Sequence, residues 1–188
     1  MKSQEQKIRE HNELLLKHLQ KADFIKISRT FKEGKSSLNG IILQLSDVFL
    51  LIKKIDDFLV DGYVIIRQDQ FDSIECGANG RTYKKILLRE NIISKNISPE
   101  FTIDISNWRS IFQNLKKLDF HVVIECEELE DPTFTIGPIK RLTEKNVSIQ
   151  YYNPKGELEN KNTIVNFDDI TTLSFGDRYS SVFRKYLK

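Results

Sequence analysis

Residues 71–83 read FDSIECGANGRTY and residues 167–179 read FDDITTLSFGDRY, so one spaced pattern of Phe, Asp, Ile, Gly and Tyr occurs twice. The two stretches are 96 positions apart. At the same offset, LQKADF at 19–24 aligns with LKKLDF at 115–120. Two separated matches at one offset predict an internal duplication in which each repeat is a fold unit.

The region between these blocks aligns after a slip of one residue, which matches Gly40 with Gly137 and Ile42 with Ile139. A single-residue change in a loop would produce such a slip. The alternative is chance similarity between segments that are rich in Ile and Lys. We favour duplication because two separated blocks share one offset.

The predicted organisation is two helix-plus-barrel repeats, at 1–92 and 105–188, joined by a linker at 93–104. The linker contains Pro99 and little helical periodicity. In each repeat a helical pattern precedes short alternating apolar runs separated by turn residues. The predicted fold class is therefore mainly β with flanking helices (α+β), built as two tandem small bent five-stranded antiparallel barrels, each preceded by an N-terminal helix.

The opening helix of each repeat is predicted from apolar spacing. Residues 4–21 carry Ile8, Leu15, Leu16 and Leu19 at near-helical intervals, which predicts a buried stripe. The second helix begins near Ser106, a candidate N-cap. Its predicted inward residues are Trp108, Ile111, Phe112, Leu115 and Leu118.

The Phe and Ile of the repeated pattern stand three residues apart, a spacing that does not suit a two-sided strand. We therefore expect a bulge or a single helical turn that directs both side chains inward. Phe71 and Phe167 are predicted to be buried, whereas Asp72 and Asp168 stay near the surface.

The composition is that of a folded protein without an obvious prosthetic group. The 188 residues are 39% hydrophobic and 30% charged, and the net charge of +2 is too small for a general nucleic-acid binder. Cys76 and Cys126 lack metal-ligand spacing, and the three histidines are dispersed, which predicts free cysteines, surface histidines, no metal and no cofactor. No signal peptide or membrane-spanning run is found, so we expect a cytoplasmic protein.

The pattern of a helix followed by five short strands resembles the Sm-like (Lsm) fold. The first motif of that family has Gly, alternating apolar residues, Asp, and an aromatic residue two positions later. The chain has Gly40, Ile42, Leu45, Asp47 and Phe49 in this order.

The resemblance is incomplete in both family motifs. Asp47 lies one residue too far from Gly40, and Leu51 stands where the family has a base-contacting Asn. In VIIRQ, Arg67 matches the second motif but Gln68 replaces its glycine. Generic SH3-like barrels share this strand order and need no such motifs.

No catalytic motif is present, so we expect a non-catalytic adaptor that binds a protein partner, or copies of itself, through exposed edge strands. The alternative is an RNA-binding protein, since the resemblance implies a binding role for Asp47, Phe49 and Arg67. The basic pair Lys53 and Lys54 would extend that surface.

The same residues also have ordinary structural interpretations. Phe49 lies in the apolar run VFLLI and is expected to fill the core, and Arg67 is expected to pair with Asp69 or Asp72.

Overall fold

The structure is a computed structural model that describes residues 4–32 and 34–188, without the side chains of residues 4, 5 and 7–9. Its helices are α1 (Gln4–Lys21), α2 (Ala78–Arg89), α3 (Trp108–Lys117) and α4 (Arg178–Phe183), with single 3-10 turns at Phe167–Asp169 and Arg184–Tyr186. Its strands are β1 (Phe24–Phe31), β2 (Gly34–Leu45), β3 (Phe49–Asp56), β4 (Leu59–Arg67), β5 (Ser73–Glu75), β6 (His121–Cys126), β7 (Thr133–Leu142), β8 (Asn146–Ile149), β9 (Thr163–Asn166) and β10 (Thr172–Phe175).

The ten strands form one antiparallel sheet in the order β5-β1-β2-β3-β4-β10-β6-β7-β8-β9. Within each half of the chain the strand order is therefore fifth, first, second, third, fourth. The fourth strand of the first half, β4, pairs with the fifth strand of the second half, β10. The two halves thus repeat one topology and are joined edge to edge.

The predicted α+β class is confirmed, whereas two separate closed barrels are not. The sheet is open, and in the described part of the chain β5 and β9 have a strand neighbour on one side each. The physical reason is the junction between the halves. The outer edge of β4 pairs with β10, so it is not available to pair with β5 and close the first half into a barrel.

The second and third strands of both halves share three local features, 97 positions apart. A bulge lies between Ile42 and Gln44 in β2 and between Ile139 and Arg141 in β7. Before each bulge stands a glycine, Gly40 or Gly137, which confirms the sequence match of these two residues.

The turn after each bulge is also the same. Ser46 Oγ accepts hydrogen bonds from the Val48 and Phe49 amides, and Thr143 Oγ1 accepts them from Lys145 and Asn146. A hydroxyl that accepts from the backbone two and three residues on fixes a tight turn.

The predicted offset of 96 residues between the two repeats is not the offset between structurally equivalent residues. Ile27 pairs with Ile74, and Ile124 pairs with Leu173, so equivalent residues are 97 apart in the first strands and 99 apart in the fifth. Ile74 therefore corresponds to Leu173, not to Ile170. The repeated Phe-Asp-x-Ile letters lie at similar but not equivalent places.

The expected helical turn is present in the second half only. There the 3-10 turn at Phe167–Asp169 buries Phe167 and Ile170, as predicted. In the first half Phe71 and Ile74 are half-buried, and Asp72 donates its amide to Ser28 O at 2.9 Å. Phe71 packs instead on His11, with ring centres 5.3 Å apart.

The bounds of α1 and α3 lie close to those predicted, but some residues predicted to face inward are exposed. In α1, Leu15 is buried while Leu16 is exposed, and Ile8 lies outside the described side chains. In α3, the N-cap is Asn107 instead of Ser106, and Leu118 is exposed. The other predicted inward residues of α3 are buried: Trp108, Ile111, Phe112 and Leu115.

The largest apolar cluster contains residues of both halves. Phe49, Leu51 and Ile65 from the first half pack in one cluster with α3 and the strands of the second half. The segment predicted as a linker joins this packing, since Ile103 is buried and Phe101 packs against the cluster. A second cluster lies under α1, and a third lies under α2.

One ion pair, between the buried Arg29 and the partly exposed Glu127, also connects the halves. Arg29 in β1 is 2% exposed, and its Nη2 atom lies 2.9 Å from Glu127 Oε2 in the second half. Its Nη1 atom donates to Thr172 Oγ1 at 2.7 Å, and Nη2 donates to Thr171 O at 3.1 Å. The guanidinium therefore binds the second half at three points.

Candidate functional site

A cleft of about 790 Å³ opens between the end of the β3–β4 pair and the start of α3. Its floor and walls come from both halves of the chain. Its lining includes Phe49, Arg67, Trp108, Arg109, Glu144 and Asp168. Two of these, Phe49 and Arg67, are residues that the sequence nominated for nucleic-acid binding.

Phe49 and Arg67 are brought together because they face each other in the β3–β4 register. Phe49 is 3% exposed and meets Trp108 edge-on, with ring centres 4.7 Å apart. A ring enclosed in this way has no open face for a base to stack on. Its contacts are those of a core residue at the bottom of the cleft.

Arg67 lies at the mouth of the cleft and is engaged by a carboxylate. Its Nε atom donates to Asp69 Oδ1 at 2.9 Å, and Nη2 contacts the other carboxylate oxygen. The side chain is 30% exposed, so a ligand could reach the guanidinium by displacing Asp69. Asp69 is one of the two carboxylates, Asp69 or Asp72, that the sequence predicted as partners of Arg67.

The start of α3 supplies the opposite wall of the cleft. Asn107 caps the helix by accepting from the Ser110 amide at 2.9 Å, and Arg109 forms an ion pair with Glu144. Within the described chain, Trp108 Nε1 and Arg109 Nε have no hydrogen-bond partner. The apolar spacing of α3 predicts a core position for Trp108 and indicates no role for Arg109, because no spacing in the sequence relates these two residues to Arg67.

Lys53 and Lys54 are not part of this cleft. They lie four and five residues along β3 from Phe49 and point to opposite faces of the sheet. Lys53 Nζ is 5.9 Å from the Tyr63 ring centre and 4.0 Å from Glu100. The predicted basic pair is therefore divided between two surfaces.

Lys54 belongs to the junction between the halves. Its Nζ atom lies 2.9 Å from Asp61 Oδ2, and Asp61 Oδ1 accepts from the Arg178 amide at the start of α4. Burial opposes ionisation of Asp61, but these hydrogen bonds hold the pKa of its carboxyl below the usual value. Asp47, the remaining nominated residue, is exposed in the β2–β3 turn.

Two histidines expected at the surface are buried. His18 is 6% exposed, with Nδ1 3.0 Å from Asp23 Oδ2, and His121 is 8% exposed. Burial and the nearby Arg184 lower the pKa of His121 to about 4. The surface prediction was wrong because it rested on the absence of metal-ligand spacing, which says nothing about burial.

The ends of the sheet form a second kind of candidate site. Ile164 in β9 is 66% exposed although it lies in a strand. A cavity of about 480 Å³ lies beside β5, lined among others by Lys26, Asn39, Glu75 and Gly77. Unpaired edge strands of this kind can accept a strand from another chain.

Three further observations concern membranes, metal ions and cysteines. No described helix is long and apolar enough to cross a membrane. Among the described residues, no group of His, Cys, Asp and Glu is arranged to hold a metal ion. Cys76 and Cys126 are free.

Comparison with protein-family models, curated proteins and solved structures gave no match.

Proposed function

We propose that this chain is a non-catalytic adaptor built from two Sm-like or SH3-like units that binds protein partners by strand addition at its sheet edges. The observation that carries the proposal is the β4–β10 junction, where two units are already held together by edge-strand pairing. The same kinds of strand, β9 and β5, stand unpaired on their outer sides at the ends of the described sheet. Main-chain hydrogen bonds at such edges provide affinity for an extended segment.

The Sm-like assignment is supported by the strand order of each half and by the glycine and bulge in each second strand. A cytoplasmic location is proposed from the free cysteines, which suit a reducing compartment.

The proposal predicts that partner binding depends on the edges. Tagged chains carrying Ile164→Lys should lose the partners that the wild-type chain recovers, because a charge on an exposed edge strand opposes strand addition. Leu59→Lys is the matched control, since Leu59 is also apolar, 62% exposed and in a strand. Quantitative affinity purification from source cells, with circular dichroism to verify folding, is the measurement. Equal recovery by both variants would exclude binding at the β9 edge.

RNA binding is the second candidate, supported by the cleft that collects Arg67, Arg109 and Trp108. If the chain binds RNA, its affinity for a labelled single-stranded oligoribonucleotide, measured by fluorescence anisotropy, should fall steeply between about 50 and 200 mM salt. Arg67→Ala should also reduce this affinity. We expect no binding tighter than about micromolar, the range of non-specific contacts. A salt-sensitive nanomolar complex that depends on Arg67 would favour the RNA function over the adaptor.

A further inference from the structure

A groove of about 410 Å³ lies where the two halves of the chain meet, at the β4–β10 junction. The first half lines it with Leu38, Val64 and the ion pair of Lys54 with Asp61. The second half lines it with residues of β6, β7, β10 and the start of α4. We call this cavity the junction groove. Neither half forms it alone.

The floor of the junction groove is a row of directly opposed strand residues. Val64 pairs with Ser174, and Ser174 also pairs with Val123 on its other side. Val123 in turn pairs with Ile136. Side chains at directly opposed positions stand on the same face of a sheet, so the floor of the groove is mostly apolar.

Glu125 is a carboxylate in the junction groove that has no partner. It lies on the same face as Val123 and directly opposite Phe134 in the β6–β7 register. Within the described residues, its carboxylate takes part in no hydrogen bond or ion pair, because the nearby guanidinium of Arg29 binds Glu127 instead. Burial, followed by repulsion from Glu127, raises the pKa of the Glu125 carboxyl.

The lining of the junction groove has more negative than positive charge. Among the described lining residues Lys54 is the one cation, and Asp61 neutralises it at 2.9 Å. Asp177, which is 8% exposed, accepts hydrogen bonds from the amide and the hydroxyl of Ser180. These donors are uncharged, so Asp177 and Glu125 both lack a counter-ion.

Two aromatic side chains of the second half also line the junction groove. Phe134 is 55% exposed and Tyr179 is 53% exposed, although both rings are large and apolar. Aromatic faces attract organic cations, and an apolar floor suits the methylene groups that carry an ammonium group. A carboxylate without a partner beside such rings is complementary to an alkylammonium ion.

We propose that the junction groove binds an alkylammonium group, such as the side chain of a lysine or a free amine. The Glu125 carboxylate holds the ammonium group, Phe134 and Tyr179 flank it, and the apolar floor contacts its methylene groups. An anionic ligand would instead meet the unpaired carboxylates. The groove lies on a face of the sheet, so this site goes beyond the proposed edge-strand binding and does not depend on it.

A titration with n-butylamine, which has the structure of a lysine side chain, tests the site. We expect saturable NMR shifts of the Glu125, Phe134 and Tyr179 amides in the purified wild-type chain. The uncharged analogue 1-butanol should bind at least about tenfold more weakly, because it cannot form a charged hydrogen bond. Equal affinity for the two probes would show an apolar groove without cation recognition and would overturn the proposal.

Two variants test the named residues. Glu125→Gln keeps the shape of the side chain and should weaken n-butylamine binding at least about tenfold. Phe134→Leu keeps an apolar side chain without an aromatic face and should weaken binding about two- to fivefold. Glu130→Gln is the matched control, because Glu130 is exposed and lies outside the groove.

The outcomes of these titrations are distinct. If Glu125→Gln and Phe134→Leu, shown by circular dichroism to be folded, bound n-butylamine as tightly as Glu130→Gln, the proposal would be wrong. Phe134 is exposed, so its variant tests the site even if Glu125→Gln does not fold. The absence of saturable shifts in the wild-type chain would also overturn the proposal.

The source of the ammonium group is tested with two further probes. Tighter binding of an acetylated Gly-Gly-Lys-Gly-Gly peptide than of spermidine would support a lysine of a partner protein, and the reverse order would support a free polyamine. Ile164→Lys changes a residue outside the groove and should bind n-butylamine as the wild type does. Failure of the edge-binding function is therefore distinguishable from failure of this site.

Discussion

His121 shows how a single buried side chain makes stability depend on pH. It lies at the start of β6, and its Nδ1 atom has no hydrogen-bond partner in the described chain. Burial and the charges of Arg184 and Lys140 lower its pKa to about 4, against an opposing effect of Asp119. The folded state therefore favours neutral imidazole, whereas an unfolded chain binds a proton near pH 6.5.

The expected consequence is a loss of stability in acid. The contribution of His121 is fully present above about pH 6.5 and is lost as the pH falls towards 4, because the unfolded state then binds more protons. The full effect is at most on the order of 3 kcal/mol. Urea unfolding of wild type and His121→Phe at pH 7.5, 6 and 4.5 should show the wild type weakening relative to the variant. A difference that stays constant with pH would contradict this.

At the scale of single strands, Gly40 and Gly137 permit a third strand to cross close to the second. A Cβ atom on Gly40 would lie 2.2 Å from Lys53 O, and one on Gly137 would lie 2.0 Å from Gln150 O. The obstructing atoms are backbone, which cannot rotate away. Both glycines precede a bulge, so the bent second strand of each half depends on the same local arrangement.

Alanine at either glycine should therefore destabilise the fold. We expect Gly40→Ala and Gly137→Ala each to lower the free energy of unfolding by roughly 1–3 kcal/mol or more, as overpacking does. Gly77→Ala is the control, because a Cβ there has no atom within 4 Å. Chemical denaturation measures all three. If only one of the two alanine variants lost stability, the glycine would not have the same structural role in both halves.

At the scale of the whole molecule, the halves share a core and an ion pair between the buried Arg29 and the 25% exposed Glu127. Arg29 is enclosed by groups of the second half and by Gln70 O, which accepts from Nε at 3.3 Å. Burial lowers the pKa of the guanidinium, while attraction to Glu127 opposes that shift. Removing one partner of such a pair leaves the other charge poorly solvated.

Arg29→Met should accordingly destabilise both halves together. Breaking a fully buried pair costs roughly 3–5 kcal/mol, and we expect a smaller loss here because Glu127 is 25% exposed, partly restored in the Arg29→Met/Glu127→Met double variant. Arg67→Met is the control, because its exposed pair with Asp69 should contribute under about 1 kcal/mol. Fluorescence of Trp108, the sole tryptophan, reports unfolding of the shared core. If the unfolding transition seen by circular dichroism differed from the one seen by Trp108 fluorescence, the halves would unfold independently.

Local patterns in the sequence determined the elements of this fold. The apolar spacing of 4–21 gave the bounds of α1, the alternating runs gave a mainly antiparallel β structure with flanking helices, and the glycine match at 40 and 137 was in the structural register. These features depend on neighbours within a few residues, so periodicity and turn chemistry reveal them.

Tertiary structure alone decided how the elements meet. The open sheet, the β4–β10 junction and the pairing of Arg29 with Glu127 join residues about a hundred positions apart, and no short spacing encodes them. The same holds for the candidate sites. Phe49 and Arg67 meet because of strand register, Lys53 and Lys54 separate because adjacent strand residues face opposite ways, and Ile164 is exposed because its half ends the sheet.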